Sequence, residues 1–203
     1  MPVHIKVCGI TRPEDAQALI DAGADAIGLM FAPSPRQIDS GLARELAELT
    51  QSLSRVAVFV DADPAQIESV LHDVPIDVLQ FHGDEPREVC NRWGLPYWKA
   101  MRVREEFDMG KFESAYPDAQ ALLFDSFTPG VSGGSGEAFN WTFWPRSKRR
   151  LVLAGGLGPH NVAQAIQMTR PWAVDVSSGV ESSKGIKDHR LIHDFVREAK
   201  NAG

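Results

Sequence analysis

The sequence predicts a closed (β/α)8 barrel, and three observations carry that prediction. Eight short apolar runs recur along the 203 residues, at 3–7, 26–30, 56–60, 78–81, 97–101, 121–124, 151–154 and 173–176. Stretches with apolar residues every three or four positions lie between them. The run ends, Cys8, Met30, Asp61, His82, Met101, Asp125, Gly155 and Ser177, recur at roughly 20–30 residues, the length of one strand–helix unit. Near-continuous apolar runs mark strands covered on both faces, as in parallel sheets. An open doubly wound sheet is the alternative, but its Gly-rich turn should follow the first strand. Here that position reads Cys8-Gly9-Ile10-Thr11, without G-x-G-x-x-G. The length falls near the short end of the range of about 200–400 residues for a TIM barrel. No Ser/Gly/Pro linker splits the chain, so residues 1–203 read as one barrel domain.

Each intervening stretch has its own helix signal. Ala16, Leu19, Ile20 and Gly23 share one face, behind Thr11-Arg12-Pro13-Glu14, which reads as a capping box. Ile38, Leu42, Leu46, Leu49 and Leu53 form the second stripe. Ile67, Val70, Leu71 and Val74 form the third, behind the N-cap pair Asp63-Pro64. Val89, Cys90 and Trp93 mark the fourth, and the fifth, within 101–119, is weakly patterned. Gly158-Pro159 opens the helix carrying Val162, Ala165, Ile166 and Thr169. Leu191, Ile192, Phe195, Val196 and Ala199 mark the last. Residues 126–140, rich in Gly and Ser, read as a long mobile loop after the sixth strand.

Composition narrows the function. Hydrophobic residues make up 43% and charged residues 24%, as in globular proteins. No apolar run reaches about 18 residues, which excludes a membrane span, and the first residues lack a signal-peptide layout. The net charge of −6 argues against nucleic acid as a partner, while leaving room for a small anionic ligand. Two cysteines are too few for a disulfide scaffold, so the expectation is a reduced, cytoplasmic protein.

In this fold the active site lies at the C-terminal strand ends. Cys8 reads either as a buried core thiol or as a general base or nucleophile at the mouth. Lys6, two residues earlier, points the same way and needs a partner. Asp175 on the eighth strand is the natural one, and a cationic Lys6 favours the Cys8 thiolate. Asp125 precedes a Gly-rich loop, which favours acid–base work over helix capping. Gly155-Gly156 and Ser177-Ser178-Gly179 follow strands seven and eight, whose loops often hold a phosphate. His82 reads equally as a ligand contact or a satisfied polar core group. Arg36, in Ser34-Pro35-Arg36, reads as a carboxylate or phosphate clamp or a solvated loop residue. Cys90 reads as core, His189 and His193 as exposed, and Arg146 to Arg150 as a solvated basic face. No metal set stands out, and Gly133-Gly134-Ser135-Gly136 lacks the Lys-Ser/Thr of a phosphate-binding Walker loop.

Taken together, these residues resemble the phosphoribosylanthranilate isomerase family over nearly the whole length. The likeness is carried by Lys6-Val7-Cys8-Gly9-Ile10-Thr11, Gly23 to Gly28, Ser34-Pro35-Arg36, Val58-Phe59-Val60, Gln80-Phe81-His82-Gly83, Asp125-Ser126, Gly133 to Gly136, Leu153 to Leu157 and Asp175 to Glu181. Phe81 stands where the family usually has Leu, an apolar exchange on the strand face opposite His82. The resemblance implies a cofactor-independent Amadori rearrangement of N-(5-phosphoribosyl)anthranilate in tryptophan biosynthesis. Cys8 would be general base, Asp125 general acid and Arg36 the partner of the anthranilate carboxylate. Gly155, Gly156 and Ser178 would hold the phosphate, with His82, Asp175, Ser177 and Gly179 beside the substrate. The chain would act as a monomer or homodimer. Another phosphosugar enzyme of this fold would call for a carboxylate pair or a metal. A non-catalytic phosphate-binding subunit would have no need of Cys8 or Asp125.

Overall fold

The computed structural model describes residues 2–102, 108–125, 141 and 144–203, with Arg102 described in its backbone only. The loop expected at 126–140 therefore lies outside the described residues. Eight parallel strands close into a barrel in sequence order. They are β1 (His4–Cys8), β2 (Ala26–Met30), β3 (Ser54–Phe59), β4 (Val78–Phe81), β5 (Tyr97–Arg102), β6 (Ala121–Asp125), β7 (Leu151–Ala154) and β8 (Ala173–Val176). Every expected run is a strand, four with shifted bounds at one or both ends. β8 pairs back onto β1 with Lys6 opposite Asp175, and this seam closes the barrel.

The helices are α1 (Pro13–Ala22), α2 (Ser40–Leu49), α3 (Pro64–Asp73), α4 (Arg87–Asn91), α5 (Met109–Ala115), α6 (Val162–Thr169) and α7 (His189–Ala202). Their apolar stripes pack on the outward-facing residues of the strands, burying Ile5, Val7, Ile27, Leu29, Phe59, Leu79, Phe81 and Leu153. In α2 the stripe runs past the buried face: Leu46 is buried, whereas Leu49 is 39% exposed. The weakly patterned fifth helix is short, with no fully buried residue.

The alternate strand residues fill the barrel. Ala26, Val56, Val78, Trp98, Ala100, Ala121, Leu123, Val152, Ala154 and Ala173 form a second, separate cluster. Five of them are alanines, and Trp98 supplies the bulk they leave out, edge-on to Trp172 at 5.6 Å. Interior packing therefore rests on one large ring among small side chains.

Helix starts follow the sequence in part. Asp63 caps α3 by accepting from the Ala65 N–H at 2.8 Å. The capping box at Thr11 does not form. Arg12 is the α1 N-cap residue and makes no side-chain cap, while the Thr11 hydroxyl donates to the Gly185 carbonyl. Gly158-Pro159 forms the turn before α6, which starts at Val162 behind Asn161. The Asn161 carboxamide bridges that turn, accepting from Gly158 N and donating to Gly156 O, both at 2.9 Å.

A hairpin after β8 has no counterpart in the sequence reading. A single 3-10 turn (Ser178–Val180) leads into β9 (Glu181–Ser183), which pairs antiparallel with β10 (Ile186–Lys187). Two contacts fix this hairpin on the barrel mouth. Gly185, at φ +81°, sits so close to the Pro35 carbonyl that a Cβ would lie 2.9 Å from it. The buried Asp15 accepts from the Lys187 N–H and from Arg12, and faces His189 Nε2 at 2.9 Å.

Gly28 faces inward beside the end of β1. A Cβ there would stand 2.6 Å from Cys8 Sγ and 2.8 Å from Cys8 Cα, where backbone cannot yield cheaply. Gly28→Ala is expected to cost about 1–3 kcal/mol of stability by overpacking. Urea unfolding followed by circular dichroism measures it.

Candidate active site

The mouth of the barrel gathers its polar side chains into two linked groups. The first surrounds Cys8, which is only 6% exposed at the end of β1. Lys6 Nζ lies 2.9 and 2.8 Å from the two Asp175 oxygens, as the register requires. Lys6 is 1% and Asp175 8% exposed, so neither charge has water as an alternative partner. Burial pushes the Cys8 thiol above its ordinary value, and Lys6 draws it only part of the way back. Lys6 thus favours the thiolate, as expected from the sequence, against the burial, but desolvation outweighs it.

A second cation stands close by. Lys187, buried and carried in by β10, donates to the Ser177 carbonyl at 3.0 Å and to Glu181 at 2.9 Å. The Ser177 hydroxyl in turn donates to the Cys8 carbonyl at 3.0 Å. The field of Lys187 also lowers the Cys8 thiol. Desolvation pulls the Lys187 ammonium below the usual lysine range despite Glu181.

Arg36 joins the same network. Its guanidinium forks onto Glu181, with Nε–Oε1 at 2.6 Å and Nη2–Oε2 at 2.7 Å. It is thus neither a solvated loop residue nor an idle clamp. A carboxylate shared with Lys187 holds it in place over Gly9, where a Cβ would lie 2.5 Å from Arg36 Cδ. Burial alone would raise the Glu181 carboxyl. The hydrogen bonds from Arg36 and Lys187 reverse that and hold it below the ordinary range.

The second group lies across the mouth, on β4 and β6. His82 Nε2 is 3.1 Å from Asp125 Oδ2, and His82 Nδ1 is 3.0 Å from Gln80 Nε2. His82 is hydrogen-bonded on both nitrogens while keeping partial exposure at the mouth. The loop after β4 is pinned from behind by the buried Lys99–Glu85 pair. Lys99 donates to the Gly83 carbonyl at 2.6 Å and to Glu85 at 3.2 Å, and Glu85 accepts from the Gly83 and Asp61 N–H groups.

Between the two groups sit the glycine loops after β7 and β8. Gly155 and Gly156 both have positive φ, 84° and 64°, a left-handed run that glycine adopts without strain. A Cβ on Gly179 would lie 1.8 Å from the Leu157 carbonyl, so the two loops interlock only because Gly179 has no side chain. Ser178 is exposed at the start of the short turn that follows. Backbone at a left-handed glycine pair beside a helical turn is suited to an anion.

The comparisons with known proteins agree with this geometry. The family model described as N-(5'phosphoribosyl)anthranilate (PRA) isomerase matches residues 5–198. The chain belongs to this family. An N-(5'-phosphoribosyl)anthranilate isomerase from Cellvibrio japonicus is 50% identical, over 98% of this chain and 94% of its own. The solved phosphoribosyl anthranilate isomerase of Thermotoga maritima superposes with a TM-score of 0.89 at 42% identity, covering 98% of this chain and 99% of that one. A second isomerase structure, at TM-score 0.84 and 39% identity with the same coverage, holds reduced 1-(o-carboxyphenylamino)-1-deoxyribulose 5-phosphate.

The remaining sequence readings fall into place around the site. Cys90 is buried core, and His189 and His193 are exposed. Of the basic run, Arg146, Lys148 and Arg150 are exposed, whereas Arg149 donates to the Ala119 carbonyl. Glu181 and Lys187 were missed as site residues. Glu181 lay within a quoted motif, but its partner Arg36 is 145 residues away. Lys187 sits on a two-residue strand too short to leave a periodic signal. No described helix is long and apolar enough to cross a membrane.

Removing Lys187 takes away one of the cations, with Lys6 and Arg36, that pull the Cys8 thiol down. Lys187→Met is therefore expected to raise that thiol further and slow its alkylation several-fold at pH 8, since the thiolate is the reacting form. Iodoacetamide labelling of Cys8 against pH, followed by mass spectrometry, measures this.

Proposed function

We propose that this chain converts N-(5-phosphoribosyl)anthranilate to 1-(2-carboxyphenylamino)-1-deoxyribulose 5-phosphate, an Amadori rearrangement in tryptophan biosynthesis. The observation that carries the reading is the pairing of a buried thiol on β1 with a carboxyl on β6, across one mouth from each other. Asp125 gives its proton to the ribose ring oxygen as the ring opens to the imine. Cys8, as thiolate, takes the proton from the adjacent carbon. The resulting enolamine becomes the ketose when Cys8 returns its proton to the first carbon and the hydroxyl proton of the second carbon leaves to restore Asp125, so no atom is gained or lost. The reaction needs an acid and a base of this kind and no electron acceptor.

Binding follows from the rest of the mouth. Arg36, oriented by Glu181, meets the anthranilate carboxylate. The backbone at Gly155, Gly156, Ser178 and Gly179 takes the phosphate, with Ser177 beneath it. His82 and Asp175 flank the sugar, His82 through Asp125 and Asp175 through Lys6. The chain acts as a single barrel domain in the cytoplasm, as a monomer or homodimer. The reduced product named as the ligand of the second isomerase structure supports the choice of reaction.

Two sets of variants test the reading by following the loss of anthranilate-conjugate fluorescence. Cys8→Ala and Asp125→Asn should each lose at least ~100-fold in catalytic rate, the low end for general acid–base catalysis. Asp125→Asn should still bind the reduced product analogue nearly as well as wild type in calorimetry. Normal turnover by either variant would sink the assignment.

Arg36→Ala should weaken apparent substrate binding by roughly one to two orders of magnitude, the loss of a charge-assisted contact worth about 1.5–3 kcal/mol. Arg36→Lys should recover little of it, because an ammonium cannot fork. Steady-state KM and analogue affinity read this out.

A further inference from the structure

Gln80 has no part in the chemistry above, yet its side chain is sealed in the barrel beside a site residue. It is 1% exposed, and its Nε2 lies 3.0 Å from His82 Nδ1. Its Oε1 is buried with no hydrogen-bond partner among the described residues. We propose that Gln80 is a positioning residue. It holds His82 in the tautomer protonated at Nε2, and through that N–H it fixes the carboxyl of Asp125.

The argument starts from what each atom can do. An amide nitrogen only donates, so a nitrogen 3.0 Å away must offer its lone pair. That makes His82 Nδ1 the acceptor and leaves the ring proton on Nε2. Nε2 lies 3.1 Å from Asp125 Oδ2, where it donates. Reversing the carboxamide would let Oε1 face Nδ1, but it would bury both N–H groups of Nε2 in the place of Oε1. One orphaned carbonyl oxygen is the less costly choice, because orphaned buried N–H groups are the rarer and dearer defect.

The consequence reaches the acid. A donor fixed on Oδ2 sets the plane of the Asp125 carboxyl. The described charges that act alongside are Asp125 from β6 and the Asp175–Lys6 pair from β8 and β1. This inference rests on Asp125 as the general acid.

The test reads the tautomer directly in ligand-free protein. Long-range proton–nitrogen correlation spectra of 15N-histidine-labelled protein, with His82 assigned by substitution, should show Nδ1 as the unprotonated nitrogen. Gln80→Met removes the donor at similar volume. It should give a mixed tautomer and a roughly tenfold lower kcat with KM little changed, within the up to ~100-fold that a misplacement of about 1 Å can cost. Gln80→Glu, nearly isosteric, should move the proton onto Nδ1, because a carboxylate accepts. A wild-type His82 protonated at Nδ1 would overturn the proposal. So would a Gln80→Met variant that changed the tautomer and left kcat unaltered, or one that changed neither. Failure of the acid assignment itself would show separately, as full activity in Asp125→Asn.

Discussion

The rest of the molecule depends on one buried ion pair. Lys6 and Asp175 meet where the last barrel strand closes on the first. Removing either partner would leave an unpaired charge in an apolar interior, at a cost of about 3–5 kcal/mol. The pair also supplies the cation that acts most strongly on the Cys8 thiol. Closure of the barrel and the electrostatics of the site are therefore set by the same two side chains.

Around that pair, the site is built by leaving atoms out. Gly28 makes room for the Cys8 side chain, Gly9 lets Arg36 lie across the mouth, and Gly179 admits the Leu157 carbonyl. The reactive groups are held tightly because the backbone beside them has no side chains to displace. The charged groups are fixed by sharing partners: Glu181 serves both Arg36 and Lys187. Such sharing limits the rotamers of long flexible side chains, which is the condition for a preorganised pocket.

How much of this was legible in the sequence follows from how local each signal is. All eight strands could be read, because apolar runs of four or five residues report burial on both faces without reference to anything distant. Lys6 and Asp175 could be paired because barrel closure makes the first and last strands neighbours. The capping box at Thr11 misled. A Ser/Thr-x-x-Glu pattern names a local hydrogen bond, but the β9–β10 hairpin offered the Thr11 hydroxyl a carbonyl 174 residues away. Arg36 was legible as a cation with a purpose, but the carboxylate that orients it was not. The direction in which Lys6 acts on the Cys8 thiol was legible, but the depth of burial that opposes it was not. Gln80 sat inside a quoted motif without a role, since its partner atom is defined only by the geometry of the β4 end.

The hairpin after β8 carries a consequence for how the protein comes into being. Lys187 reaches the site from one end of the chain, and the groups it serves include the Cys8 environment near the other. The contacts joining them, such as Asp15 to the Lys187 N–H, span more than 170 residues. A chain leaving the ribosome N-terminus first exposes Cys8 early and acquires its surroundings last. Until β8 and the hairpin arrive, the thiol has neither Asp175-anchored Lys6 nor Lys187 beside it, nor the burial that raises it. The surroundings of Cys8 are thereby completed only in the step that completes the fold.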